Sequence, residues 1–249
     1  MSVSAISIRN LSFSYQQQQG NCFSNLNLEI GEGERFGLFG PNGAGKTTLM
    51  NCMTGLLQPQ SGTIELLGIP VLKHRGSVNH LFGLVPQEFS FYQELSPLEN
   101  LEFFGAWYGL RRNEIKERAT MLLKILSLDL VKNKQVQQFS GGMKRRMNLA
   151  IGVFHKPQIL FLDEPTVGVD VETRQAIISY LKELNNMGTT LIYTSHQLSE
   201  AEELCDRAAL IDAGKIIVHG SLSALLLQHK EAQLEGLYLK LTGKKYEGL

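Results

Sequence analysis

The sequence predicts an α/β fold: a mostly parallel sheet, an N-terminal antiparallel β segment ahead of it, and an α-helical insert that interrupts it. Three observations carry this. From residue 158 to 219, short apolar runs alternate with helix-periodic segments, the pattern of a covered parallel sheet. Residues 4–11 and 23–30 alternate apolar with polar positions, as a half-exposed antiparallel pair does. Residues 95–128 instead place their apolar side chains at helical spacing.

The composition allows this fold and excludes several others. With 249 residues, 43% hydrophobic and 19% charged, the chain has ample material for a core and is not of a disordered class. A formal net charge of zero supplies no global field toward nucleic acid or acidic lipid, so no nucleic-acid partner is expected. Cys22, Cys52 and Cys205 are odd in number and scattered, which argues against a disulfide framework or zinc cluster and suits a reducing compartment. The N-terminus shows no basic segment followed by an apolar one, and no apolar run reaches the ~18 residues of a membrane span. A soluble, cytoplasmic chain is expected, one that reaches a membrane only through a partner.

Taken in order, the two N-terminal strands flank a Gln-rich loop, residues 15–20. A turn at 31–34 leads to a short buried strand, 35–39, and a glycine-rich loop opens a helix at 48–53. Residues 60–68 read as a further hairpin arm and 82–86 as a short apolar strand. Helices are predicted over 95–109 and 114–128, the first with Ser96 as N-cap and Pro97 at its first position. Ser140 is a candidate cap for a helix over 141–154. After it come a strand at 158–162, helix 171–186, strand 189–194, helix 198–204, and a hairpin of strands 208–211 and 215–219. Helices at 223–229 and 232–241 close the chain. The expected organisation is a single domain over 1–249. Residues 1–86 and 155–220 form the β and nucleotide-binding core, 87–154 a helical subdomain and 221–249 a helical tail. No internal repeat is evident.

Gly40-Pro41-Asn42-Gly43-Ala44-Gly45-Lys46-Thr47-Thr48 fits G-x-x-x-x-G-K-[ST], and it lies between a predicted strand and a predicted helix, as that motif requires. Glycines let the backbone bend so that successive N–H groups face phosphate oxygens, and the helix N-terminus adds its partial positive charge. Lys46 then reaches the β- and γ-phosphates and the Thr47 hydroxyl a Mg²⁺ ion. Farther on, Asp163 and Glu164 follow an apolar strand, at the strand end where α/β sheets bind ligands. Asp163 is placed to hold Mg²⁺, and Glu164 to polarise an attacking water as general base. Capping of the next element is the alternative use of such a pair.

Phe139-Ser140-Gly141-Gly142-Met143-Lys144-Arg145-Arg146 makes the pattern specific. With Gln87 after a strand, Val169-Asp170 after the carboxylates and Ser195-His196 after the last core strand, the chain resembles the ATP-binding cassette (ABC) ATPases from residue 4 to about 220. The resemblance implies the P-loop NTPase core of that family, with ATP and Mg²⁺ as ligands. It implies Tyr15 stacked on adenine (an ordinary edge-strand tyrosine being the alternative), Gln87 at Mg²⁺ and the lytic water, and His196 at the γ-phosphate. It further implies Asp170 against a facing subunit, and Ser140, Gly141 and Gly142 on the γ-phosphate held by that subunit, a second ABC chain. Two identical chains are favoured over a mixed pair, since Glu164 and Ser140-Gly141-Gly142 are both intact.

The signature departs from the commonest wording at Phe139 and Met143, while Lys144-Arg145-Arg146 either supports phosphate binding or forms a solvated helix face. That triplet, Val167-Gly168-Val169-Asp170 and the ending at 234–243 are similar to the cassettes of ABC-2 type exporters, which drive a separate membrane permease. The expected place is then peripheral, on the cytoplasmic face of the cell membrane. Residues 89–95 would belong to the groove for the permease, or equally to the core of the helical insert. The alternative function is an ABC ATPase without transport, as in cofactor assembly.

Overall fold

The computed structural model describes residues 4–15, 22–195 and 197–243. The chain runs through β1 (Ser4–Phe13), β2 (Phe23–Gly31), β3 (Arg35–Phe39), α1 (Lys46–Met53), β4 (Ser61–Leu66), β5 (Ile69–Pro70), a short α2 (Arg75–Val78) and β6 (Phe82–Val85). Three helices follow, α3 (Pro97–Trp107), α4 (Arg112–Ile125) and α5 (Gly141–Val153). Then come β7 (Ile159–Asp163), α6 (Val171–Asn186), β8 (Thr190–Ser195), α7 (Leu198–Leu204), β9 (Arg207–Asp212), β10 (Lys215–Ser221), α8 (Leu222–His229) and α9 (Leu234–Thr242).

Two sheets result. The first is antiparallel, in the order β2-β1-β4-β5. The second, in the order β10-β9-β3-β8-β7-β6, is parallel except for the β10 hairpin arm. Side chains alternate across a strand, so each strand of a doubly covered sheet feeds two cores. Ile159 and Phe161 of β7 join the core shared with the antiparallel sheet and α1, while Leu160 and Leu162 join the core under α3–α6. The helices of the insert are thus packed on one continuous apolar face.

Register sets the strand ends level. Phe39 lies across from Ser195 and Leu210, Asp163 across from Thr194, and Val85 across from Leu162. The loops after β3, β6, β7 and β8 therefore leave the sheet along one edge.

Local chemistry fixes the helix bounds. Ser96 caps α3 in a reciprocal box with Glu99, and Pro97 occupies the first turn, so the helix starts two residues later than its apolar period suggests. Ser127, with φ of 52°, closes α4 before residue 128. Gly83 of β6 lies against α5 so closely that a Cβ would sit 2.0 Å from the Gly152 carbonyl oxygen. That contact seats the helix on the strand.

Candidate nucleotide site

The loop after β3 folds over its own lysine. Gly43 and Gly45 have φ of 78° and 106°, left-handed values that a side chain would strain. Gly40 is needed for a different reason: its Cβ would meet the Ile211 carbonyl oxygen of β9 at 2.1 Å. Lys46, buried in the first turn of α1, donates from Nζ to the Gly40 and Pro41 carbonyls at 2.8 and 3.1 Å. Burial pulls its ammonium below the usual lysine range, and the nearby Glu164 and Asp163 carboxylates act in the opposite direction. The Ala44 amide turns inward to Pro41 O at 3.1 Å, so it belongs to the loop's own fold.

Around this loop lies a cavity of about 700 Å³, within the usual range of ligand pockets. Asn42, Gly43, Gly45, Lys46, Thr47 and Thr48 form its floor, and Tyr15, Gln87 and Glu164 its walls. The Tyr15 phenol bonds the Thr48 hydroxyl at 3.0 Å, which holds the ring at the cavity mouth. Gln87 Nε2 donates to Glu164 Oε2 at 3.1 Å, joining the ends of β6 and β7 across the cavity. Glu164 turns out of its strand at a φ of 50°. Asp163 lies beneath it, buried, and accepts from the Thr194 hydroxyl at 2.6 Å. His196 lies outside the described residues.

Ser140, Gly141 and Gly142 are not in this cavity. Ser140 caps α5, accepting from the Met143 amide at 3.3 Å. A Cβ on Gly142 would come 3.2 Å from the Thr173 hydroxyl and 3.5 Å from Asp170 Oδ2, so the turn passes close to the start of α6. Asp170 caps α6: Thr173 donates to its two carboxylate oxygens from backbone and hydroxyl, both at 2.8 Å, and these bonds hold the carboxyl below the usual carboxylate range.

Neither reading of the basic triplet describes Arg145 and Arg146. Arg145 is buried, donates to the Gln87 carbonyl at 2.8 Å and the Val167 carbonyl at 3.4 Å, and stacks its guanidinium over Phe89 at 5.0 Å. Arg146 donates to the Leu126 carbonyl at 2.8 Å. They are clamps between loops rather than a solvated face or a phosphate contact.

The 89–95 aromatics divide. Phe91 packs partly on the core and stacks on the exposed Phe89, whereas the exposed Tyr92 packs edge-on against Phe103 of α3; Trp107, farther along α3, is exposed too. Two cavity residues were not among the expected site residues, although Val167 belongs to the 167–170 stretch named above. Cys22, at the foot of β2, has a thiol pushed up by burial and partly restored by the Thr48 hydroxyl. Val167 enters only because its loop folds back.

A parallel sheet that offers a phosphate loop and two carboxylates from one edge defines a P-loop nucleotide-binding protein. Within that class, the family described as "ABC transporter" matches residues 23–167, and the chain belongs to it. It is 42% identical over 200 residues, 80% of its length, to the linearmycin resistance ATP-binding protein LnrL of Bacillus subtilis (strain 168). It is 40% identical over 222 residues, 89% of its length, to the Nod factor export ATP-binding protein I of Sinorhizobium fredii (strain NBRC 101917 / NGR234). In both cases the matched part spans 64% of the relative's own length. A solved dimeric ATP-binding cassette in a post-hydrolysis state with ADP and Pi superposes with a TM-score of 0.80 at 27% identity, covering 87% of this chain and 98% of that one. The predicted fold class, with antiparallel N-terminal sheet and helical insert, is that of the ABC ATPases.

Proposed function

We propose that this chain binds and hydrolyses ATP as the cassette subunit of an exporter, and that ATP-dependent closure of a dimer drives a separate membrane permease. One observation carries the reading: Lys46, Gln87 and Glu164 line one cavity of about 700 Å³, and Ser140, Gly141 and Gly142 are not among its lining residues. A nucleotide held at the first site has room on its γ-phosphate for the second site of another copy. Among the described residues no helix is long and apolar enough to cross a membrane. The exposed aromatics Phe89, Tyr92, Phe103 and Trp107 offer the permease a contact surface, at the peripheral cytoplasmic position this reading gives the chain. Names that speak of resistance and export favour transport over an assembly role.

The roles follow from position. Tyr15 stands where a base ring can stack, and Lys46 exchanges its two loop carbonyls for phosphate oxygens. Thr47, Gln87 and Asp163 are hydroxyl, amide and carboxylate, an all-oxygen donor set that suits Mg²⁺. Mg²⁺ there would neutralise charge on the β- and γ-phosphates. Glu164, oriented by Gln87, takes the proton of the attacking water, and His196 is assigned to the γ-phosphate.

The test is purification of the chain with its candidate permease. Mg²⁺-dependent ATP turnover, raised in the membrane complex, is the expected result. A stable soluble complex lacking any membrane protein would overturn the transport role.

A further inference from the structure

A buried carboxylate with four side-chain donors is absent from the roles above. Glu200, on α7, is 2% exposed. Its Oε2 accepts from the hydroxyls of Thr166, Tyr193 and Ser195 at 2.8, 2.7 and 3.0 Å, and its Oε1 from Arg174 Nε at 3.0 Å. A carboxylate so buried is costly unless its lone pairs are filled, and here donors come from three separate segments. Arg174 belongs to α6, Tyr193 and Ser195 to β8, and Thr166 to the loop between β7 and α6.

Two of those segments carry the proposed chemistry. Thr166 comes two residues after Glu164, and the loop it anchors contains the cavity residue Val167 and ends at Asp170. Ser195 directly precedes His196, and its Oγ also accepts the Gln197 amide at 2.9 Å, spanning that position. The signature turn passes close to the same loop: a Cβ on Gly142 would come 3.5 Å from Asp170 Oδ2, and one on Gly141 3.9 Å from the Gly168 carbonyl oxygen. Arg145, on the helix that the turn opens, bonds the same loop at the Val167 carbonyl, 3.4 Å away. Through Arg145, a displacement of the loop would be passed to the helix that the partner-facing turn opens.

We propose that Glu200 is a positioning residue: it locks the loop at 166–170 to the end of β8, so that the water-activating side and the partner-facing side of the site move as one body. The role rests on the ATPase reading above. It separates from mere structural glue because the phosphate loop lies outside the network. Loss of Glu200 should leave ATP binding to a single chain alone and impair the steps that need both sides.

The experiment uses Glu200→Gln in the full chain, equal in size but with one acceptor oxygen replaced by a donor. Turnover at saturating ATP is expected to fall about tenfold or more, the effect of one lost charge-assisted hydrogen bond. Affinity of the single chain for a fluorescent ATP analogue should stay within about twofold. In a Glu164→Gln background, the ATP-stabilised dimer should weaken by a similar tenfold factor. Ser195→Ala and Thr166→Val, each removing one donor, should act in the same direction and non-additively with Glu200→Gln.

A lower melting temperature with unchanged turnover per folded chain would make Glu200 structural only and sink the proposal. So would a parallel loss of single-chain ATP affinity, or strict additivity with Ser195→Ala. A wild-type chain that neither binds nor hydrolyses ATP removes the ATPase reading and this role together. Normal wild-type turnover matched by Glu200→Gln removes this role alone.

Discussion

The loop at residues 40–48 and the turn at 140–142 both end at a helix N-terminus, but they are finished to different degrees. The first is closed on itself: Lys46 is tied to the Gly40 and Pro41 carbonyls, the Ala44 amide to Pro41, and Glu164 and Gln87 meet across the cavity. The second is exposed at Ser140 and Gly141, with Ser140 capping its own helix and Gly142 close to Asp170. One is a cavity with walls; the other is half of a wall. In the proposed function, a nucleotide site is complete only when another copy brings its turn to the first chain's loop, and the difference between the two regions then bears on mechanism.

The largest effect should come from breaking the chemistry of the closed side while leaving its shape. Glu164→Gln keeps the side-chain size and the link to Gln87 but removes the base. Turnover should drop by about 10²–10⁴-fold, the usual worth of a general base, with ATP affinity retained and the ATP-bound dimer accumulating on a sizing column. Unchanged turnover would assign the base elsewhere.

Next in size is the lysine. Lys46→Ala removes charge-assisted bonds to phosphate, each worth about 1.5–3 kcal/mol, so ATP affinity should fall by roughly 10- to 150-fold per bond lost. The sign of its pH dependence follows from burial. In the free chain the ammonium titrates below its ordinary 10.5, and phosphate binding requires the charged form. Affinity should therefore weaken as pH rises, with onset below the ordinary lysine range, and titration calorimetry across the alkaline limb reads it directly. A flat profile, matched by Lys46→Ala, would place the phosphate contact on another group.

Elements with a strong period and clear caps were legible from sequence. Helices expected at 171–186 and 198–204 are α6 and α7 to the residue, because each apolar stripe is bounded by polar or turn-forming neighbours. The cavity lining was mostly legible as well, since the loop motif and the carboxylate pair name residues that a single sheet edge must bring together. What escaped is whatever depends on contact between distant segments. Arg145 and Arg146 look like surface charge on a helix, yet carbonyls from the 87, 126 and 167 regions receive them. Glu200 sits in an acidic, solvent-like stretch, and its burial comes from hydroxyls on β8 and the Thr166 loop. Cys22 lines the cavity because β2 starts beside the phosphate loop, a matter of sheet order rather than of local wording.

The smallest effect tests the open side. Ser140→Ala removes an N-cap, which costs about 1 kcal/mol of stability and shifts the melting temperature by a few degrees. The Ser140 side chain touches nothing in the phosphate cavity, so ATP affinity of the single chain should not change. In a Glu164→Gln background, by contrast, the ATP-stabilised dimer should weaken by more than the melting shift accounts for, because the hydroxyl would also serve the partner's γ-phosphate. Sedimentation of Glu164→Gln with and without Ser140→Ala, at matched ATP and chain concentration, separates the two contributions. If the dimer constant follows stability alone, Ser140 is only a cap, and the contrast between a closed and an open anion site must rest on the Gly141 and Gly142 amides.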